Sequence, residues 1–215
     1  MNYIANNNEI NAALKNFYNR ECSALEIADV YFKYKLYSAA SSFYNIELFD
    51  ILNTYEFERK SYCFQKMGEC YLNQQSDQAF SSWQLQMIYE LFTESLTYDQ
   101  DNFRSMIGLG KCYILQNKMK EAYHTYNHLL LSLYKYTDMT PEEYDIIFDI
   151  CFTLYDLAEQ HFIIKYDYFN NAIVNFFTSI NYDSNKIYKL MERIKQHKDN
   201  ITQYESNIIK GNIYG

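Results

Sequence analysis

Apolar and small residues recur along this chain at helical spacing, and one order of residue types returns three times. Between residues 106 and 126 it reads Met106-x2-Leu109-Gly110-x2-Tyr113, then Ala122-x3-Tyr126. Upstream it reads Phe64-x2-Met67-Gly68-x2-Tyr71, then Ala79-x3-Trp83. Earlier still it reads Ala24-x2-Ile27-Ala28-x2-Tyr31, then Ala40-x3-Tyr44. Spacings of three and four put such residues on one helix face. The paired small residues lie 12, 11 and 12 apart, and the starts Ala28, Gly68 and Gly110 lie 40 and 42 apart. Each unit therefore predicts two helices joined by a short polar turn, at 73–76 in the second unit and 115–120 in the third. The small residue on each helix lets its partner approach, and the large residues one turn away fill the space beside it. The second helix of the middle unit is expected to extend through 84–95.

Other segments carry weaker patterns. Residues 9–19 read as a short amphipathic helix with Ile10, Leu14 and Phe17 on one face. A fourth, degenerate unit reads Leu154-x2-Leu157-Ala158-x2-His161, then Ala172-x3-Phe176, with its small residues 14 apart. Thr140-Pro141-Glu142-Glu143 marks the start of the helix leading into it, with an N-cap, a proline at the first helical position and an acidic first turn. In the tail, Ile187, Ile194, Ile201 and Ile208 recur every seven residues, and Leu190, His197 and Tyr204 follow three later. That is a heptad stripe, and a helix over 184–210 would reach roughly 40 Å. Gly211 is a natural stop. His197 on the seam and Asp199-Asn200 in mid-span weaken a tight coiled coil.

The three units resemble the tetratricopeptide repeat, a helix–turn–helix motif, although that family's period of about 34 residues is shorter. The resemblance covers 21–130 well and 144–180 loosely. It implies an all-α chain, an antiparallel helix-hairpin α-solenoid of three clear units plus one degenerate unit, ending in an amphipathic helix. Residues 1–182 would form the repeat domain. Residues 183–215 would cap its apolar end or, alternatively, make a homodimer through Ile187, Leu190, Ile194, Ile201, Tyr204 and Ile208.

Stacked units of this kind curve, and their first helices line a concave groove. The register turns Leu25, Asp29, Phe32 and Lys33 outward in the first unit. It does the same for Gln65, Lys66, Glu69 and Asn73 in the second, and for Arg104, Ile107, Lys111 and Ile114 in the third. Some members of the family clamp the acidic C termini of heat-shock chaperones with Lys and Asn. Here Asp29 and Glu69 stand where that clamp has Asn, and Leu25 stands in place of its first Lys, so a terminal carboxylate would be repelled. The resemblance implies a non-catalytic scaffold or adaptor that takes a peptide or helix of a protein partner in its groove. Two relatives of that reading are a secretion-type chaperone shielding an effector segment, and a module that accompanies a glycosyltransferase.

Composition narrows the picture. The 215 residues are 48% hydrophobic, enough for a core, and 19% aromatic, mostly Tyr and Phe. Gly (5) and Pro (1) are too few for the turns of an all-β chain. Net charge is −8, split into −10 through residue 182 and +2 beyond it, the wrong sign for nucleic-acid binding. Apolar runs fall short of a membrane span, and no secretory leader pattern opens the chain. Five cysteines, an odd number without a CxxC pair, argue against a disulfide framework or zinc ribbon. An intracellular, reducing location is therefore expected, as is, from abundant Lys, Asn, Ile and Tyr, an AT-rich genome.

Candidate chemistry is thin. His124 and His128 share a helix face near Glu121, a spacing that can bind zinc. The register turns both outward, however, and no second ligand cluster accompanies them. Cys70 and Cys112 occupy equivalent places, as small hydrophobes. Gly108-Leu109-Gly110 begins like a nucleotide fingerprint but lies within a helix, where such a loop cannot form. No catalytic residue, metal site or cofactor is expected.

Overall fold

The computed structural model describes residues 2–74 and 79–133, with 146, 147, 149–151, 153, 154 and 157; side chains are described from residue 8 onward. Regular structure among the described residues is helical: α1 (Asn2–Tyr18), α2 (Ala24–Lys33), α3 (Tyr37–Ile51), α4 (Phe57–Gln74), α5 (Ser82–Tyr98), α6 (Phe103–Leu115) and α7 (Met119–Leu133). The chain divides into two compact units, Met1–Lys118 and Met119–Gly215. Within the first, each helix packs against the next, and α4 also packs against α6. This unit is an antiparallel stack of helical hairpins of α-solenoid type, as the repeat pattern predicts.

Local chemistry sets the helix ends. Ser23 and Ser81 each open a helix with a capping box. Ser23 Oγ accepts from Glu26 N–H at 3.3 Å while Glu26 Oε2 accepts from Ser23 N–H at 2.8 Å. Ser81 and Gln84 repeat this at 3.3 and 2.9 Å. Each box satisfies two amide hydrogens that the first turn leaves unpaired. Asn102 caps α6 by accepting from Ser105 N–H at 3.0 Å.

Three helices end alike. Arg20, Lys35 and Asn117 have φ of 60°, 60° and 58°. Beside them, Glu21 N–H donates to Asn16 O at 2.8 Å, Leu36 N–H to Tyr31 O at 2.9 Å, and Lys118 N–H to Tyr113 O at 2.8 Å. This six-to-one closure with a left-handed residue is the Schellman arrangement, which satisfies carbonyls at a helix end. The predicted turn of the middle unit falls mostly in 75–78, outside the described residues.

Two apolar clusters stand out among the described residues of the first unit. One joins Ala28, Ala40, Tyr44, Leu48, Ile51, Cys63, Met67 and Cys70 from α2, α3 and α4. The other joins Ile88, Phe92 and Cys112 from α5 and α6. Phe92 is the wedge between α4 and α6. A methyl built on Gly68 would meet its Cζ at 2.8 Å, and one built on Gly108 would be closer still.

The middle unit corrects one expectation. Ala79 is exposed and precedes the helix, and Trp83, expected in the core beside it, is 72% exposed. The Ser81–Gln84 box starts α5 at Ser82, leaving Trp83 in a solvent-facing first turn. Leu85, Ile88, Phe92 and Ser95 are the buried residues instead. Helix α5 does run through 84–95, ending at Tyr98.

In the second unit α7 buries Ala122, Tyr126, Leu129, Leu130 and Leu133, and Ile147, Ile150, Cys151 and Leu154 are buried. The helix start at 140–143, most of the fourth repeat, the boundary at 182/183 and the tail stripe lie outside the described residues.

Candidate functional site

The candidate groove residues sit on α2, α4 and α6, and the fold sorts them into two groups. Those of α2 and α4 are largely engaged with one another. Asp29 accepts hydrogen bonds from the hydroxyls of Tyr44 at 2.6 Å and Tyr62 at 2.8 Å, so it clasps α2, α3 and α4. Burial, and then the Asp29 carboxylate, push both phenols far above the ordinary tyrosine pKa and keep them as donors. Leu25 is half-buried against the first cluster, and its amide donates to buried Glu47 at 3.0 Å. Glu47 also pairs with Arg59.

Lys66 reaches across to α2. Its ammonium lies 4.1 Å from the centre of the Phe32 ring and 3.1 Å from Glu69 Oε2. The pair is mostly withdrawn from water, with side chains 13% and 20% exposed. Glu69 accepts from the Gln65 amide at 2.9 Å. Gln65 is itself buried, against the outward position its register predicts, because its other amide atom accepts from Asn102 at 3.2 Å. Lys33 also departs from the groove group, for it pairs with Glu9 of α1 at 2.9 Å. Glu9 further accepts from the Tyr34 hydroxyl, and these two partners hold its carboxyl below the usual range.

On α6, Arg104 and Lys111 are exposed, and Ile107 and Ile114 are half-buried. Spacings of three and four put the four on one stripe. Asn73 is exposed at the far end of α4. It lines an open cavity of about 640 Å³ with Gln74, with Lys35 of the α2–α3 turn and with residues from the start of α3, including Tyr37.

Sequence reasoning passed over a polar knot beneath this face. Ser61, Ser95 and Ser105 are fully buried. Ser105 Oγ donates to Ser95 Oγ at 2.7 Å, Ser95 Oγ donates to Ser61 O at 2.8 Å, and the Asn102 amide donates to Ser61 Oγ at 2.9 Å. A buried hydroxyl requires such partners. The knot joins α4, α5 and α6 through hydroxyl and amide partners and acts as a polar tie between them. The legible signal was the run of small polar residues at core register positions.

His124 and His128 are exposed. Among the described residues no group of three or more His, Cys, Asp or Glu converges as metal ligands do. Cys63, Cys70 and Cys112 are buried, and burial pushes each thiol up to about 12, which makes them inert as nucleophiles at neutral pH. No helix among the described residues is long and apolar enough to cross a membrane.

No protein-family model matches the chain, and no curated protein matches it. Among solved structures, a thermophilic TPR protein of Thermus thermophilus aligns with a TM-score of 0.41 and 12% identity, over 80% of this chain and 97% of its own. A superposition of that quality carries no argument about ligand or partner. The helical-hairpin architecture rests on the geometry of this chain.

Proposed function

We propose that the chain is a non-catalytic interaction module that takes a peptide or helix of a protein partner along the face of α2, α4 and α6. The observation that supports this reading is the α6 stripe. Of the two acidic groove candidates, Glu69 is paired with Lys66, and Asp29 is turned to the hydroxyls of Tyr44 and Tyr62. Exposed charge on α6 belongs to Arg104 and Lys111, flanked by Ile107 and Ile114. In a chain of net charge −8, a basic and apolar stripe suits a segment with apolar anchors and acidic neighbours.

The test begins with a partner captured from the source cells and purified. Arg104→Glu with Lys111→Glu is expected to weaken its direct binding about tenfold or more, and wild-type binding to fall with added salt. Both residues are exposed, so the helical circular dichroism spectrum should persist. Unchanged affinity in the folded double variant sinks the placement of the site on this face.

A further inference from the structure

From the last turns of α3 to the start of α4, five large apolar side chains stand in solvent: Ile46, Phe49, Leu52, Tyr55 and Phe57. Phe49 is 79% exposed and Tyr55 90%. Leu52 keeps helical geometry, with φ −55° and ψ −38°, so Ile46, Phe49 and Leu52 continue one side of the helix at spacings of three. Single exposed apolar residues are normal, but so many along one short segment mark an interaction surface, and the Tyr55 and Phe57 rings meet edge-on with centres 6.3 Å apart.

The loop that carries Tyr55 is firmly held. Thr54 donates to Ile51 O through its amide at 3.0 Å and its hydroxyl at 2.8 Å. Glu56 N–H donates to Thr54 Oγ1 at 3.3 Å. The buried ammonium of Lys60 donates to Thr54 O at 2.7 Å, and lies 5.6 Å from the Phe57 ring centre and 5.3 Å from that of Tyr98. Backbone and support are thus fixed while the Tyr55 ring is left outside. A ring on a fixed support loses little freedom on binding, and tyrosine is a frequent anchor at interfaces.

Charge selects the occupant. Asp50 and Glu58 are exposed in the same segment, and Glu56 beside them is paired with Arg59. Its cations are Arg59, engaged by Glu47 and Glu56, and buried Lys60. The rim is therefore negative around an apolar centre. We infer that this surface docks an amphipathic segment of another protein, one that carries Lys or Arg beside large apolar residues. The inference is independent of the α2–α4–α6 face. A second copy of the same surface would oppose like charges, and an anionic lipid surface would be repelled.

Two model helical peptides of about eighteen residues, one of Leu and Lys and one of Leu and Glu, titrated by fluorescence anisotropy against the full chain, test it. The Leu/Lys peptide should bind about tenfold or more tighter than the Leu/Glu peptide. Phe49→Ser with Tyr55→Ser should abolish most of that binding. Asp50→Lys with Glu58→Lys should reverse the preference. Glu90→Lys with Glu94→Lys on the exposed side of α5 changes net charge equally and should leave it unaltered. An equal loss in that control means a diffuse charge effect and overturns the inference, as does full binding by the Phe49/Tyr55 variant. Binding to phosphatidylserine vesicles, or a dimer in light scattering that the Phe49/Tyr55 variant loses, also overturns it by assigning the surface to lipid or to a second copy.

Discussion

Lys35 sits at φ 60° where α2 turns into α3, a conformation in which its Cβ crowds the following carbonyl at a cost of about 1–2 kcal/mol. Glycine avoids that crowding but gives up more backbone freedom on folding. Lys35→Gly is therefore expected to stabilise the chain by about 1 kcal/mol or somewhat less, read as a higher urea midpoint at unchanged slope. Lys35→Ala, which keeps the Cβ, should show no such gain; an equal gain would mean that the conformation is not the cause. The spacing of this turn was legible, since Lys35 and Asn117 each lie seven residues after the small residue of their unit, Ala28 and Gly110. The role of Asp29 was not. Its two partners lie 15 and 33 residues away in sequence, so a register along one helix could only describe Asp29 as outward.

At the scale of elements, the pairing of α2 with α3 was readable because Ala28 and Ala40 truly mark the contact, both being fully buried. In the middle unit a register hung on Ala79 slips out of frame, because that residue precedes α5. The local signal that would have corrected it is Ser81 followed three residues later by Gln84, a capping-box signature. The same slip hid the purpose of Gly108. Its neighbour is Phe92, a residue that the slipped register did not single out. Gly108→Ala is expected to destabilise the chain by about 1–3 kcal/mol through overpacking against that ring, despite alanine's better helix propensity. Gly68→Ala, where the approach is looser, should cost less. Chemical denaturation of both single variants, and of Gly108→Ala combined with Phe92→Leu, checks this. If the smaller side chain at 92 gives no recovery, the wedge is not the cause.

At the largest scale, the helical class and the hairpin order of the described residues followed from composition and periodicity. The grouping of the site did not, because it depends on which charges find partners across helices. Bulk burial also sets a pH response. A free thiol ordinarily titrates near pH 8.5, whereas those of Cys63, Cys70 and Cys112 are pushed up to about 12 by burial. Below the unfolded value both states hold the proton, and these groups leave stability unchanged. Above it the unfolded chain releases protons that the folded chain retains, so stability falls as pH rises from about 8.5 towards 12. Urea unfolding between pH 8 and 11 should show the decline, at up to about 1.4 kcal/mol per pH unit for each thiol. Cys112→Ala should decline less steeply; an identical slope would remove Cys112 from the account.

The serine knot has a consequence for how such a stack could be rearranged. Asn102, at the entry to α6, sends its amide back to Ser61 and Gln65 of the preceding hairpin. Hairpins that meet only through oily surfaces can be shuffled, duplicated or deleted with modest loss. Here α6 fits behind a neighbour that offers a hydroxyl and a carboxamide oxygen at those two places; elsewhere it would bury an amide with nothing to bond, at a cost of about 1–3 kcal/mol. The order of helices in this unit is thus keyed like a lock and not merely stacked like coins.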